Sequence, residues 1–246
     1  MELIILLAVY LILVFFPIAI WLMVFLFLDR KEPEPGKMIV KTIFFSAIAV
    51  LVAMSLENLV DKLFFSVEEL SFIKEGVFID PVFLQKFILT FFMAGVLEEI
   101  IKYFFLRIVI FKNKHCNQLA DGIIYGVILA LGFALIENTG YFLSNFPGAL
   151  TSPDLFLALI FRGLVTTLLH TVATGIMGLF MAKEKLLKKN KFLAEKGLLL
   201  AALAHGLFNV LVFSPYGTIS TTVLVFSLMG YLIYKLTDKQ SQEIHD

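Results

Sequence analysis

Long apolar runs recur along this chain, and their length limits the possible fold more than any other feature. The hydrocarbon core of a bilayer is about 30 Å thick, so a helix that crosses it needs roughly 20 apolar residues. Hydrophobic residues make up 60% of the chain and charged residues 16%, whereas soluble domains average about 45–50% and 25%. The sequence therefore predicts an all-α polytopic membrane protein with about seven (six to eight) transmembrane helices. The seven segments that qualify are residues 3–28, 38–60, 83–111, 121–146, 155–182, 194–213 and 218–236.

The segments between these runs are too short for a soluble domain, so we expect residues 1–246 to form one integral membrane domain. The run at 3–28 is too long for a signal peptide, and we interpret it as a retained span. The partly amphipathic stretch at 61–81 would change the number of spans if it enters the membrane. A short polar tail, residues 237–246, follows the last span. The zero net charge gives no reason to expect nucleic acid as a partner, and the single cysteine, Cys116, excludes an internal disulfide.

Basic residues are concentrated in alternate loops, and this distribution predicts an orientation. They occur in the proline-rich loop from Asp29 to Lys37, in the loop after the third span, in the loop after the fifth span and in the tail. The loops after the fourth and sixth spans contain none. Because cytoplasmic loops retain positive charge, we expect a cell-membrane protein with an extracytoplasmic N-terminus and a cytoplasmic C-terminus.

The third span contains two adjacent carboxylates, Glu98 and Glu99, followed by Lys102. An ionisable group inside a span costs about 2.5–3.5 kcal/mol or more, so each one needs a partner or a function. Lys102 lies four residues after Glu98 and three after Glu99, and helical spacing lets either carboxylate reach it. A packing ion pair between Glu99 and Lys102 is one reading. Since one ammonium does not neutralise two carboxylates, we expect one carboxylate to remain free for a proton or a water.

The fourth span contains a third intramembrane carboxylate, Glu137, with Asn138 and Tyr141 close to it in sequence. These two residues supply hydrogen-bonding groups beside the carboxylate. At the start of the same span, Asp121 is interpreted as the cytoplasmic cap of the helix.

The fifth and sixth spans contribute two histidines near the middle of the membrane. His170 follows Arg162 by eight residues, a little over two turns, so both share a helix face on which Thr174 also lies. In the sixth span, His205 and Asn209 lie one turn apart. We expect Glu98, His170 and His205 at a common depth with Glu137 nearer the outer leaflet, all facing one water-filled cavity.

Five ordered elements on these spans resemble a known family. They are EEIIK (98–102), DGIIYG (121–126), GFALIENTGY (132–141), the stretch from Arg162 to Thr174, and HGLFN (205–209). Together they resemble the PrsW intramembrane proteases, within the superfamily that includes CAAX-prenyl proteases and Abi proteins. The core motifs fall within residues 91–213. The resemblance implies hydrolysis of a membrane-anchored substrate, of the anti-sigma-factor type, cut near its extracytoplasmic membrane boundary. The CAAX branch usually presents a histidine where this chain has Glu137, which argues against a prenylated substrate.

Peptide hydrolysis needs a base that activates water and donors that stabilise the oxyanion. We predict Glu98 as the base, completed by Glu137 or His170, and His205 with Asn209 as oxyanion donors. The predicted catalytic set is Glu98, Glu99, Glu137, His170, His205 and Asn209, supported by Lys102, Arg162, Asn138, Tyr141 and Thr174.

No cofactor is needed for this glutamate-type chemistry, but two alternatives stay open. The first is a zinc metalloprotease, with Glu98, Glu137, His170 and His205 as ligands. The second is a proton-coupled transporter, because intramembrane carboxylates and histidines also build proton relays.

Overall fold

A computed structural model of the protein describes residues 2–30, 32–64, 87–188 and 191–238. Across these residues the chain forms seven continuous helices, and no strand occurs among them. Three of the helices include π-helical turns. The helices are α1 (Glu2–Tyr10, the π-helical Leu11–Phe15, and Phe16–Leu28), α2 (Gly36–Phe64), α3 (the π-helical Ile88–Leu97 and Glu98–Phe111), α4 (Leu119–Ala149), α5 (Pro153–Phe161, the π-helical Arg162–Thr166, and Thr167–Leu187), α6 (Leu193–Leu211) and α7 (Gly217–Thr237).

The seven helices coincide with the seven predicted spans, which confirms the all-α polytopic fold class. Within the described residues, six of them are long and apolar enough to cross a membrane. The exception is α3, because it contains Glu98, Glu99, Lys102 and Arg107 within one apolar helix. Of the predicted amphipathic stretch at 61–81, residues 61–64 continue α2. Residues 65–81 and most of the tail lie outside the described residues.

Helix α4 occupies the centre of the bundle. In its apolar stretch of 18 residues 83% of the positions are buried, whereas the same fraction is 22–50% in the other apolar helices. Glycines allow this close packing. The ideal Cβ position of Gly122 collides with the backbone of Gly178 on α5, and that of Gly126 collides with the backbone of Thr174. Small residues that let two backbones approach are typical of membrane helix interfaces.

The outer helices α1, α2 and α7 turn large apolar side chains away from the bundle, such as Met23, Phe44 and Ile219. In water such a surface would be unfavourable, whereas lipid tails solvate it. In α5, residues 167–182 are buried almost throughout, and the helix contributes His170 and Arg162 to the interior.

The loop between α1 and α2 is folded onto the core rather than extended into solvent. Its Glu34 accepts a hydrogen bond from the Tyr125 hydroxyl of α4, and its Glu32 accepts one from Gln118. Asp29 and Glu34 are only 8% and 7% exposed. Burial raises the pKa of Asp29 to about 7 and that of Glu34 to about 8.

The other connections at this end are held by side-chain to backbone bonds. The Asp121 carboxylate accepts from the backbone N–H groups of Asn117 and Gln118, at 2.8 and 2.7 Å, which confirms its predicted capping role. The loops after α1 and α3 therefore meet at one end of the bundle, as the distribution of basic residues predicts. The opposite end carries the turns at residues 150–152 and 212–216.

Candidate active site

Lys102 is the centre of the polar cluster inside the bundle, and its side chain is completely buried. Its Nζ atom lies 3.0 Å from Glu98 Oε2, 2.8 Å from Glu99 Oε1 and 2.9 Å from His170 Nδ1. The ammonium also lies 4.1 Å from the centre of the Phe133 ring. An ammonium group has three N–H donors, and here each has one acceptor.

Both Glu98 and Glu99 contact Lys102 in this arrangement, and one ammonium still faces two carboxylates. Helical spacing predicts that either carboxylate reaches the ammonium, and in the folded bundle both do so at the same time. The ammonium also determines the tautomer of His170. When Lys102 donates to Nδ1 of the neutral ring, the ring proton belongs on Nε2. That nitrogen is a buried atom without a hydrogen-bond partner in the described part of the chain.

Glu99 makes hydrogen-bonding contacts with two further side chains, those of His205 and Thr174. His205 Nδ1 lies 3.0 Å from Glu99 Oε1, and the Thr174 hydroxyl donates to Glu99 Oε2 at 3.2 Å. A histidine that donates from Nδ1 to a carboxylate presents an unprotonated Nε2 on its other side. Glu99 is itself 0% exposed. It therefore orients His205 rather than facing a substrate.

Glu137 lies beside His170 and pairs with Arg162. Its Oε1 accepts a hydrogen bond from the Arg162 guanidinium, which stacks 4.5 Å from the centre of the Tyr141 ring. Its Oε2 lies 3.1 Å from His170 Nε2, outside hydrogen-bonding geometry. Arg162 thus turns inward to a carboxylate instead of extending to the membrane surface. The π-helical turn at Arg162–Thr166 lies at this point, and such turns frequently occur at functional sites.

A cavity of about 350 Å³ begins at these side chains. Five predicted catalytic residues, contributed by α3, α4, α5 and α6, line it together: Glu98, Glu137, His170, His205 and Asn209. Its other walls include Thr90, Ala158 and Phe213, which lie near the ends of α3, α5 and α6. The cavity thus extends from the buried charges toward the end of the bundle opposite the α1–α2 loop.

Asn209 and two of the predicted supporting residues occupy different positions relative to the cavity. Tyr141 lines it beneath Arg162. Asn209 lines it too, while its amide donates to the backbone carbonyl of Thr90 at 3.1 Å. Asn138 instead donates to Thr167 Oγ1 at 2.9 Å. It therefore links α4 to α5 and is not part of the cavity wall.

The predicted metal ligands are partly brought together. One ligand atom each from Glu98, His170 and His205 lies within 4.8 Å of the others, and all three residues are buried. Glu137, the fourth predicted ligand, is not part of this group. One carboxylate and two histidines are a known ligand set for catalytic zinc.

Two carboxylates of functional interest fall outside the sequence-based prediction, the half-buried Glu57 and the buried Glu34. Glu57 on α2 has a buried Oε1 without a hydrogen-bond partner among the described residues, and the charges of Glu137, Lys102 and Arg162 act on it. Glu34 is buried against Tyr125. Because an ionisable residue inside a span is costly, the sequence alone marks Glu57 as a candidate functional residue. Glu34 lies in a loop, where the same signal does not apply.

Comparisons with known proteins agree with the geometry. A family model described as "PrsW family intramembrane metalloprotease" matches residues 34–234. Relatives named "Protease PrsW" include one from Clostridioides difficile (strain 630), 30% identical over 83% of this chain and 79% of its own length. One from Oceanobacillus iheyensis is 30% identical over 89% and 90%, and one from Bacillus subtilis (strain 168) is 25% identical over 74% and 72%. No solved structure matches the chain significantly. These matches favour the peptidase prediction over the transporter alternative.

Proposed function

Because this chain belongs to the PrsW family of intramembrane proteases, we propose that it hydrolyses a peptide bond of a membrane-anchored protein in the cavity between α3, α4, α5 and α6. The observation that carries this proposal is the cavity itself. It brings two carboxylates, two histidines and an amide from four helices to one wall inside an otherwise apolar bundle. Carboxylates, imidazoles and amides are the groups that general acid–base catalysis and oxyanion stabilisation require.

Glu98 is the proposed base. Its Oε2 is held by Lys102 at 3.0 Å, while the residue also lines the cavity. Because Lys102 holds one oxygen of this carboxylate, the other oxygen faces a water in a constant orientation, which lowers the entropic part of the activation barrier for hydrolysis. Lys102 thus acts as a support that is not itself exposed to the cavity.

His170 and Glu137 complete the proton transfers in this mechanism. With its Nδ1 occupied by Lys102, His170 carries its proton on Nε2, beside Glu137 Oε2. The proton that Glu98 takes from the water passes to the leaving amine through this pair, so that each residue ends the step in its starting protonation state. His205 and Asn209, which line the same cavity, are the proposed donors to the oxyanion. Since His205 already donates from Nδ1 to Glu99, this role requires its Nε2 to be protonated in the transition state.

A zinc-dependent mechanism is the second candidate, favoured by the spacing of Glu98, His170 and His205 and by the description of the matching family as metalloproteases. The residues fit such an ion: Glu99 accepts from His205 Nδ1, the carboxylate contact that orients histidine ligands of zinc. For His170 to bind the ion through Nε2, its ring proton would have to lie on Nδ1, and Lys102 would then no longer donate to that nitrogen. A zinc ion held there would act as a Lewis acid on the scissile carbonyl and would activate water.

The substrate proposed here is a single-span protein cut near its extracytoplasmic boundary, of the anti-sigma-factor type implied by the family resemblance. Two observations support the side of cleavage. The basic loops predict that the α1–α2 loop is cytoplasmic, and the cavity extends toward the opposite end. A stalk that leaves the outer leaflet therefore has the shortest path to Glu98.

The test is cleavage of a single-span reporter with a labelled extracytoplasmic stalk, co-reconstituted with the protein in liposomes. We expect cleavage by the wild type and a loss of at least about 100-fold in Glu98→Gln, with Asp154→Asn, at an exposed surface carboxylate, as the matched control. Equal cleavage by wild type and Glu98→Gln would remove Glu98 from the mechanism. Treatment with a chelator separates the two chemistries: unchanged activity supports glutamate catalysis, whereas loss that only added zinc restores supports the metal mechanism.

A further inference from the structure

Glu57 belongs to the inward face of α2. Ser46, Ala49, Val50 and Ala53 on the same helix are all 0–1% exposed. Their spacing of three or four residues defines one helix face, and the next position on that face is Glu57. The apolar members of the face pack with Ile101 of α3 and Phe133 of α4. The carboxylate therefore lies on the side of α2 that faces the helices carrying Glu98 and Glu137.

Glu57 is half-buried, and the charges that act on it belong to the active site. Glu98, Glu137, Lys102 and Arg162 all interact with it electrostatically. Its Oε1 is nevertheless buried without a hydrogen-bond partner in the described ranges. Among the described residues no cation lies within 4 Å of it, in contrast to Glu98, Glu99 and Glu137, each of which has an ionic partner.

A carboxylate with a purely structural role inside a membrane protein is expected to be paired, because a buried acceptor without a partner loses its hydration without compensation. Arg162 has an unsatisfied donor to match this acceptor. Its Nε–H is buried without a hydrogen-bond partner in the part of the chain that the structure describes. An arginine tends to bind a carboxylate through two parallel hydrogen bonds. Here only Glu137 Oε1 is engaged, and Glu137 Oε2 remains beside His170.

We propose that Glu57 is a positioning residue of the active site, which acts through Arg162. Its negative charge draws the guanidinium away from full engagement with Glu137, so that Glu137 keeps Oε2 toward His170. Without that charge, Arg162 closes on Glu137 through both oxygens and withdraws it from the histidine. This role rests on the proposed function of Glu137 and His170 in the cleavage reaction. Glu57 itself touches neither the substrate nor the reacting atoms.

The experiment compares Glu57→Gln, Glu57→Ala and Glu57→Asp in the liposome reporter assay. Asn58→Ala, at the exposed neighbouring position, is the matched control. If the charge of Glu57 positions Arg162, then Gln and Ala lower kcat alike, by roughly 10- to 100-fold, with little change in KM. The Asp variant restores activity to within a few-fold of wild type, and Asn58→Ala is unaffected. Wild-type kcat in Glu57→Gln would overturn the proposal, because a merely structural role is satisfied by an amide of the same shape.

A second measurement keeps the proposal independent of the protease assay. The unfolding temperatures of Glu57→Gln, Arg162→Met and the double variant form a cycle that reports coupling between the two side chains. We expect non-additivity of roughly 2–4 °C, whereas additive effects would overturn the inference. If the wild type cleaves no reporter while the cycle is non-additive, the proposed function fails and the Glu57–Arg162 coupling stands. If the wild type cleaves and Glu57→Gln cleaves equally well, only the inference fails.

Discussion

Replacement of Lys102 by methionine tests the central feature of the site, a single buried ammonium that contacts three side chains. Methionine keeps the length and apolar volume of the side chain but removes the charge. In the variant Glu98 and Glu99 lose the cation that lies 3.0 and 2.8 Å from them, and His170 loses the donor at 2.9 Å. Two adjacent carboxylates then remain in the interior without this cation, beside the imidazoles of His170 and His205.

The magnitude follows from the burial of these groups, since Lys102 and Glu99 are both 0% exposed. Removal of one partner from a buried ion pair costs about 3–5 kcal/mol, because the other charge is left uncompensated. For a chain of about this length, each kcal/mol lowers the unfolding temperature by about 2–4 °C. We therefore expect Lys102→Met to lower the unfolding temperature by roughly 6–20 °C, measured by thermal unfolding in detergent with a thiol-independent fluorescence probe.

Two comparisons make this prediction specific. Lys114→Met, which removes an exposed loop lysine, is expected to change the unfolding temperature by less than about 2 °C. The double variant Lys102→Met with Glu99→Gln removes one charge of each sign and is expected to recover part of the loss. The reasoning is refuted if Lys102→Met unfolds within about 2 °C of wild type and still cleaves the reporter, because the ammonium would then support neither the bundle nor the base.

Two further predictions concern the packing of the bundle and the loop between α1 and α2. Gly178→Val forces a side chain against the backbone of Gly122, so we expect the free energy of unfolding to fall by about 3 kcal/mol or more, measured by thermal unfolding. The control is Gly140→Val, at a position with open space around the added Cβ, which should be nearly neutral. Similar losses of stability in both variants would contradict the packing argument. Burial raises the pKa of Asp29 to about 7 and that of Glu34 to about 8 from ordinary values of 3.8 and 4.5, so the folded state holds more protons than the unfolded state and the free energy of unfolding falls as the pH rises from about 4 to about 8. Thermal unfolding at pH 5 to 8.5 measures this slope, and an equal slope in the Asp29→Asn, Glu34→Gln double variant would assign it to other groups.

The sequence by itself determined the elements that depend on local information. A run of about 20 apolar residues specifies a membrane helix wherever it lies, because the bilayer leaves the backbone no other way to satisfy its hydrogen bonds. The seven spans, the Asp121 cap and the reach of Lys102 to its two neighbouring glutamates follow from such local geometry. The same is true of the ordered motifs, which indicate the family; five residues within them line one cavity in the structure.

Only the tertiary structure decided which charged groups meet across helices. In a helix of a soluble protein the polar face marks the exposed side, and the opposite side is therefore known to be buried. In this chain lipid-facing and protein-facing positions are both apolar, so sequence periodicity does not give the rotation of each helix. The third contact of Lys102, with His170, and the pairing of Arg162 with Glu137 depend on that rotation. The position of Glu57 beside the site depends on the same rotation, which turns the Ala53 face of α2 toward α3 and α4.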